Sequence, residues 1–169
     1  NKKRDLTKSC FDGIKKEKYK NILIMDGDLQ HKPSDVPKMI KLLDKENLDV
    51  VIGSRNFLKV YEDKSLNFLR FYASVFIKKI LNFFLGFRTN DPLSGFFCFK
   101  KKIFQEKKLF GKGYKILSDI IYSSNDLKIK DIEIKFNHRD KGNSKMNVRI
   151  LYLILLFIFS RFIKNLKLL

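Results

Sequence analysis

Apolar residues along the chain keep two different rhythms. Short unbroken runs, Ile22-Leu23-Ile24-Met25 after Asn21, Val50-Val51-Ile52-Gly53 after Asp49, and Phe96-Phe97-Cys98-Phe99, read as buried strands, because a strand covered on both faces has no polar alternation. Between them the spacing is helical. Leu6, Cys10, Phe11 and Ile14 predict a helix from Asp5 to about Lys16. Val36, Met39, Ile40 and Leu43 predict another, capped by Ser34 or Asp35 and ending near Lys45. A long apolar helix is expected over Leu66–Leu85, shorter ones near Lys101–Leu109 and Lys115–Ser124, and a last strand around Asp131–Phe136. Strand, helix, strand implies a parallel α/β unit, and such sheets gather ligands beyond the carboxyl ends of their strands.

What lies at those ends gives the first chemistry. The Asn21–Met25 strand ends on Asp26-Gly27-Asp28-Leu29-Gln30. Carboxylates at i and i+2 of an extended segment share a side, and hard oxygen donors suit Mg²⁺ or Mn²⁺, which keep positions open for substrate phosphates. Asp and Gly also make ordinary turns. A calcium loop of the EF-hand kind is excluded, since its sixth and twelfth positions, counted from Asp26, would be His31 and Pro37 instead of Gly and Glu. The Val50–Gly53 strand ends on Ser54-Arg55, so Arg55 is expected beside the two aspartates.

A length of 169 residues is enough to bury one real core. The net charge of +18 raises the question of nucleic acid. Its lysines are spread along almost the whole chain with many Ile, Phe and Asn, and neither zinc-finger spacing nor an RNP-like aromatic motif accompanies them, so attraction to anionic lipid head groups is preferred. The two cysteines, Cys10 and Cys98, stand in unlike contexts, and free thiols in a reducing compartment are expected.

Two segments invite a membrane. In Leu66–Leu85 the apolar residues include Phe68, Leu69, Phe71, Tyr72, Val75, Phe76, Ile80, Leu81, Phe83 and Phe84. One face could pack on the sheet while another meets lipid, with a wholly buried helix as the alternative. The run Ile150–Phe159 is continuously apolar and is then broken by Ser160 and Arg161. It falls short of the roughly 20 residues needed to span. An interfacial helix with Arg161, Lys164 and Lys167 near phosphates is preferred to a tilted span, and a buried core helix ranks lowest because apolar residues occur all round.

Five ordered segments now carry a family resemblance: Met25-Asp26-Gly27-Asp28-Leu29-Gln30-His31-Lys32-Pro33; Val51-Ile52-Gly53-Ser54-Arg55; Asp91-Pro92-Leu93-Ser94-Gly95-Phe96; Gly113-Tyr114-Lys115-Ile116-Leu117; and Arg139-x-x-Gly142-x-Ser144-Lys145. Together they resemble the polyprenyl-phosphate glycosyltransferases of glycosyltransferase family 2, which include the dolichyl-phosphate mannosyltransferases. The resemblance implies a GT-A (nucleotide-diphospho-sugar transferase) fold with a mostly parallel sheet and flanking helices. It also implies a metal-dependent, inverting transfer of a hexose from a nucleotide sugar to polyprenyl or dolichyl phosphate at the cytoplasmic face of a membrane, the protein being peripheral or shallowly inserted. GDP-mannose is the first expectation for the donor and UDP-glucose the nearest alternative, with no nucleic-acid partner.

Roles follow residue by residue from that resemblance. Asp26, Asp28 and Gln30 would hold Mg²⁺ or Mn²⁺, and Asp26 and Asp28 would be the catalytic pair. Asp26, Gly27, Asp28, Arg55, Arg139 and Lys145 would bind the donor. Arg55, Arg70 and Ser74 would bind the acceptor phosphate, Arg70 and Ser74 being four apart on one helical face. The acceptor is already anionic, so no His-based catalytic group is required, and His31 and His138 are expected to be structural or positioning. Asp91 is either an acidic site residue or a turn acceptor before Pro92; Asp119 stands where a Glu is more usual. Family members carry further strand-helix units, with a Pro-x-Tyr-Asn-Glu-like turn, ahead of the metal strand, whereas here only Asn1–Lys20 precede it. The expectation is therefore a partial GT-A catalytic domain over residues 1–147 lacking its first strands, an apolar membrane-interface helix over 148–169, and little transfer by this chain alone. The alternative of a different class is a non-catalytic membrane-associated fragment.

Overall fold

A computed structural model describes residues 6–28, 30–55, 68–86, 88–104, 109, 116–124, 126–135, 152, 154–160 and 163. Its elements are α1 (Leu6–Lys16), β1 (Asn21–Met25), a 3₁₀ turn (Pro33–Asp35), α2 (Val36–Lys45), β2 (Val50–Arg55), α3 (Phe68–Leu85), β3 (Phe96–Lys100), a second 3₁₀ turn (Lys101–Ile103), α4 (Ile116–Ile121) and β4 (Ile129–Ile134). The sheet order is β1-β3-β2-β4. Three strands share one direction, as the strand-helix-strand pattern requires, yet β1 and β2 are not neighbours. β3 lies between them and runs antiparallel to both, pairing Ile22 and Ile24 with Phe99 and Phe97 on one side and Val50 and Ile52 with the same two residues on the other. β4 pairs with β2 in parallel.

Both faces of the central strands are covered, which is why their sequences show no polar alternation. On one face Ile22, Val50, Ile52, Phe97 and Phe99 pack with Phe11 and Ile14 of α1 and with Ile116, Leu117, Ile120 and Ile121 of α4. On the other, Val51, Phe96, Cys98, Ile132 and Ile134 meet Met39 and Leu43 of α2. A third cluster joins Ile77 and Leu81 of α3 to Ile154, Phe157 and Ile158 of the helical stretch 154–160. The tail is thus half buried against α3, contrary to the expectation that apolar residues all round argue against core packing; Leu155, Leu156 and Phe159 form its exposed side.

Local chemistry sets several boundaries. α2 ends in a Schellman arrangement: Asn47 takes a positive φ of 49°, Leu48 N–H donates to the Leu43 carbonyl at 3.0 Å and Asn47 N–H to that of Asp44 at 3.2 Å, with Leu43 and Leu48 buried in one cluster. At its start the expected side-chain cap is absent. Asp35 instead belongs to the 3₁₀ turn that runs straight into the helix, its N–H bonded to the Lys32 carbonyl. The helix expected over Lys101–Leu109 is likewise corrected. After β3 the chain makes one 3₁₀ turn and Phe104 returns to extended geometry, because Ile103 and Phe104 are drawn onto α1, where the Phe104 ring meets Phe11 edge-on at 5.2 Å. Residues 105–108 lie outside the described residues. Cys10 and Cys98 are free thiols, as expected.

Phe99 is fully buried between α1, α4 and the sheet, so Phe99→Ala should cost about 3–5 kcal/mol in urea unfolding. Burial pushes the Cys98 thiol up to about 12. A thiol reagent at pH 8 should therefore modify Cys98 only at the rate of global unfolding. Fast labelling of Cys98 in the folded chain, read by mass spectrometry, would contradict the packing described.

Candidate active site

β1 and β2 end side by side in direction, and the turn entering β3 closes the same end of the sheet. Asp26 N–H donates to the Gly95 carbonyl at 3.1 Å, extending the β1–β3 ladder by one residue beyond Met25. Asp28 follows two residues on, its Oδ1 accepting the Gln30 N–H at 3.2 Å. Gln30 and His31 are buried, and the His31 ring lies against Phe96 with centroids 4.9 Å apart.

Arg55, the last residue of β2, is held by Asp91. Nε donates to Oδ2 at 2.7 Å and an Nη2 hydrogen to Oδ1 at 2.9 Å, and the Arg55 backbone N–H reaches Oδ2 at 3.3 Å. The side chains are unequally covered: 22% of Arg55 is exposed but only 1% of Asp91. Burial works against the guanidinium charge, but the Asp91 carboxylate and its hydrogen bonds, aided by Asp26, outweigh it and raise the Arg55 pKa. His31 goes the other way. Burial draws its pKa below the usual imidazole value against the upward pull of Asp26, Arg55 adds to the lowering, and Asp28 and Asp91 oppose it. Asp26 and Asp28 follow the carboxyl end of β1, Arg55 ends β2 and Asp91 lies in the turn entering β3, so these groups belong to one end of the sheet.

The turn that carries Asp91 is tied down at every step. Thr89 Oγ1 donates to Asp131 of β4 at 2.7 Å and accepts the Asp91 N–H at 3.2 Å, while Asn90 N–H reaches the other Asp131 oxygen at 2.6 Å. Ser94 Oγ donates to the Gly53 carbonyl of β2 at 2.7 Å. Ser118 of α4 donates to the Pro92 carbonyl, and Arg88 donates to the carbonyls of Ile121 and Ser124 at the end of α4.

The residues singled out from the sequence divide accordingly. Asp26, Gly27, Asp28 and Gln30 follow the end of β1, and Arg55, bonded to Asp91, ends β2 in the same direction. Asp119 is buried in α4. Arg70 and Ser74 lie on α3 with side chains outside the described residues, as do Arg139, Lys145 and His138 altogether. Among the described residues no three His, Cys, Asp or Glu side chains converge on a point. The local donor set is two carboxylates and the Gln30 amide, which fits a hard divalent cation that shares its coordination with a diphosphate. The pairing of Arg55 with Asp91 and the seat of Asp26 against Gly95 are absent from the sequence reading. The only signal was the Asp91–Phe96 segment itself, since its partners lie 36 or more residues away.

Comparison with known proteins agrees with this arrangement. The profile described as Glycosyl transferase family 2 matches residues 1–108. The chain belongs to that family. It is 28% identical over 159 residues to a dolichol-phosphate mannosyltransferase of Pyrococcus furiosus, covering 89% of this chain and 43% of that protein. It is 25% identical to a dodecaprenyl-phosphate galacturonate synthase of Rhizobium johnstonii, over 88% of this chain and 43% of the relative. The chain thus spans about half the length of these curated relatives. Glucosyl-3-phosphoglycerate synthase of Mycobacterium tuberculosis, crystallised with Mn²⁺, UDP-glucose and phosphoglyceric acid, superposes with a TM-score of 0.61 at 16% identity over 94% of this chain and 55% of that one, a likeness of fold. The GT-A-type fold expected from the sequence is thereby shown, as a mixed sheet with flanking helices.

The unequal burial of the Arg55–Asp91 pair predicts an unequal response. Arg55→Ala strands a carboxylate away from water and should cost about 3–5 kcal/mol. Asp91→Ala leaves a guanidinium that can swing to solvent and should cost about 1–2 kcal/mol. Urea unfolding of both variants checks the order, and equal costs would mean that the pair is not buried as described.

Proposed function

We propose that this family 2 domain serves metal-dependent, inverting transfer of a hexose from a nucleotide sugar to a polyprenyl phosphate, with GDP-mannose as first choice of donor. The observation that supports this reading is that Asp26 and Asp28 follow the carboxyl end of β1 while Arg55, fixed by Asp91, ends β2 in the same direction. Asp26, Asp28 and the Gln30 amide would hold Mg²⁺ or Mn²⁺, which when bound supplies neutralisation of the charge that builds on the departing nucleoside diphosphate. Arg55 keeps its charge and, through two bonds to Asp91, a fixed plane, the property that recognition of phosphate oxygens requires. The acceptor phosphate is ionised at neutral pH. One of its oxygens forms the bond to the anomeric carbon as the bond to the diphosphate breaks on the opposite face, with no proton to remove.

The acceptor class is better supported than the sugar. The two relatives above are named for different sugars, mannose and galacturonate, and both names contain a polyprenyl phosphate. UDP-glucose remains the competing donor. Arg70 and Ser74 on α3 are assigned to the acceptor phosphate, and Arg139 and Lys145 to the donor. For domain organisation we keep a catalytic part over 1–147 and an interfacial helix over 148–169.

Among the described residues no helix is long and apolar enough to cross a membrane. α3 exposes Tyr72, Phe76 and Phe83, and the tail exposes Tyr152, Leu155, Leu156, Phe159 and Ile163. We assign these aromatic and aliphatic faces to peripheral or shallow insertion at the cytoplasmic surface of a membrane, where basic residues add attraction to anionic lipid.

The test is transfer of labelled mannose or glucose to a short polyprenyl phosphate in vesicles, with Mn²⁺ or Mg²⁺ against a chelator. In a version that also carries the family's first strand-helix units, Asp26→Ala and Asp28→Ala should each abolish metal-stimulated transfer, and survival of both at the parent rate excludes the assigned site. Arg70→Ala should raise the KM for polyprenyl phosphate, so an unchanged acceptor titration removes it from that role. In flotation assays the chain should bind vesicles containing anionic lipid, and Phe76→Ser combined with Phe83→Ser should reduce binding by about 30-fold or more, since each exposed aromatic contributes about 1–2 kcal/mol of apolar burial. Equal flotation of the double variant would remove α3 from the contact.

A further inference from the structure

Asp26 is the first carboxylate of the proposed metal site, and its seat is unusually close. A methyl group placed on Gly95 would stand 2.0 Å from Asp26 Oδ2, 2.5 Å from Cγ and 2.9 Å from Oδ1. All three atoms belong to the carboxylate, so the obstruction concerns the functional end of the side chain and not the strand. The backbone fixes the approach: Asp26 N–H is bonded to the Gly95 carbonyl, and the next pair in the ladder is Met25 with Phe96. Asp26 therefore cannot retreat along its own chain without giving up a ladder bond. Gly95 is held from the other side, because Ser94 Oγ bonds the Gly53 carbonyl and also accepts the Phe96 N–H at 3.2 Å. The carboxylate fills the space where a Cβ on Gly95 would stand, so a side chain there must turn the exposed Asp26 carboxylate to another direction.

We propose that Gly95 is a positioning residue for Asp26: its missing side chain forms the seat that sets the direction in which the Asp26 carboxylate faces its ligand. This rests on the metal-site reading of Asp26, and it adds a requirement that reading does not contain. A carboxylate at position 26 is not sufficient; it must be one carbon long and must lie against a residue without Cβ. The turn Asp91–Gly95 then orients both charged partners of the site, Arg55 from its first residue and Asp26 from its last. Second partners that orient metal ligands commonly change metal affinity by about 10–100-fold when lost.

The experiment uses the full chain, Mn²⁺ and GDP, with free Mn²⁺ followed by electron paramagnetic resonance and stability by urea unfolding without metal. Gly95→Ala should weaken Mn²⁺ binding at least about tenfold and lower the urea midpoint. In an Asp26→Ala background, where the three obstructing atoms are gone, the same Gly95 substitution should lower the midpoint by less than half as much. Asp26→Glu, at an exposed strand end and expected to fold, keeps the charge but cannot use the seat, and should also lose at least about tenfold in Mn²⁺ affinity. It decides the matter should Gly95→Ala fail to fold. Parent-like Mn²⁺ affinity in a folded Gly95→Ala or in Asp26→Glu overturns the proposal while leaving the metal site standing, and so do equal midpoint losses in the two backgrounds. Failure of the unsubstituted chain to bind Mn²⁺ with GDP overturns the metal reading of Asp26 and the proposal with it.

Discussion

The antiparallel course of β3 between two strands of the opposite direction is the constraint on which the site depends. A strand that runs against its neighbours enters the sheet at the end where they leave it. The turn preceding β3 must consequently lie beyond the carboxyl ends of β1 and β2, where Asp26 and Arg55 emerge. Had β3 been parallel, the Asp91–Gly95 turn would open onto the opposite edge and neither contact could form. Four consecutive buried residues, Phe96, Phe97, Cys98 and Phe99, anchor that strand through both layers of the core, so the position of a polar turn is set by apolar packing several residues away.

Polar bonds then remove the freedom the turn would otherwise keep. Its links reach four elements: Thr89 and Asn90 to β4, Ser94 and Asp91 to β2, Pro92 to α4 and Gly95 to the end of β1. A charged pair held in this way costs little reorganisation when a ligand arrives, and preorganised charge is worth more to a reaction than charge that must be gathered. The same arrangement explains the unequal burial of Arg55 and Asp91. The carboxylate is structural and sealed, whereas the guanidinium keeps one side toward solvent.

Much of this was legible in the sequence because it is local. Unbroken apolar runs located β1, β2 and β3, Asp26 and Asp28 were expected just beyond the end of β1, and Arg55 followed from ending the second run in the same direction. The ordered motifs added the family. The order of the strands was not legible, since a run buried on both faces reads alike whether its neighbours are parallel or antiparallel. Nor was the partner of Arg55, which is separated from Asp91 by 36 residues and met only through the sheet. The cap expected at Asp35 and the helix expected after Lys101 both met 3₁₀ turns: Asp35 lies inside one that runs into α2, and after Lys101 the packing of Ile103 and Phe104 outweighs periodicity.

The apolar helices are joined to this site through the same turn. Leu93, between Asp91 and Gly95, packs with Tyr122 against the cluster in which Ile77 and Leu81 of α3 meet Ile154, Phe157 and Ile158. The exposed residues Tyr72, Phe76 and Phe83 recur at intervals of four and seven along α3, so they form a stripe on the side away from that cluster, and Leu155, Leu156 and Phe159 do the same on the tail. Lys79, also exposed, falls on the α3 stripe between Phe76 and Phe83 and puts a cation among its aromatic rings. On the reading proposed above, the stripes rest on lipid while the buried sides of the same helices press on Leu93, which places the lipid surface one packed layer from the residues that orient Asp26 and Arg55.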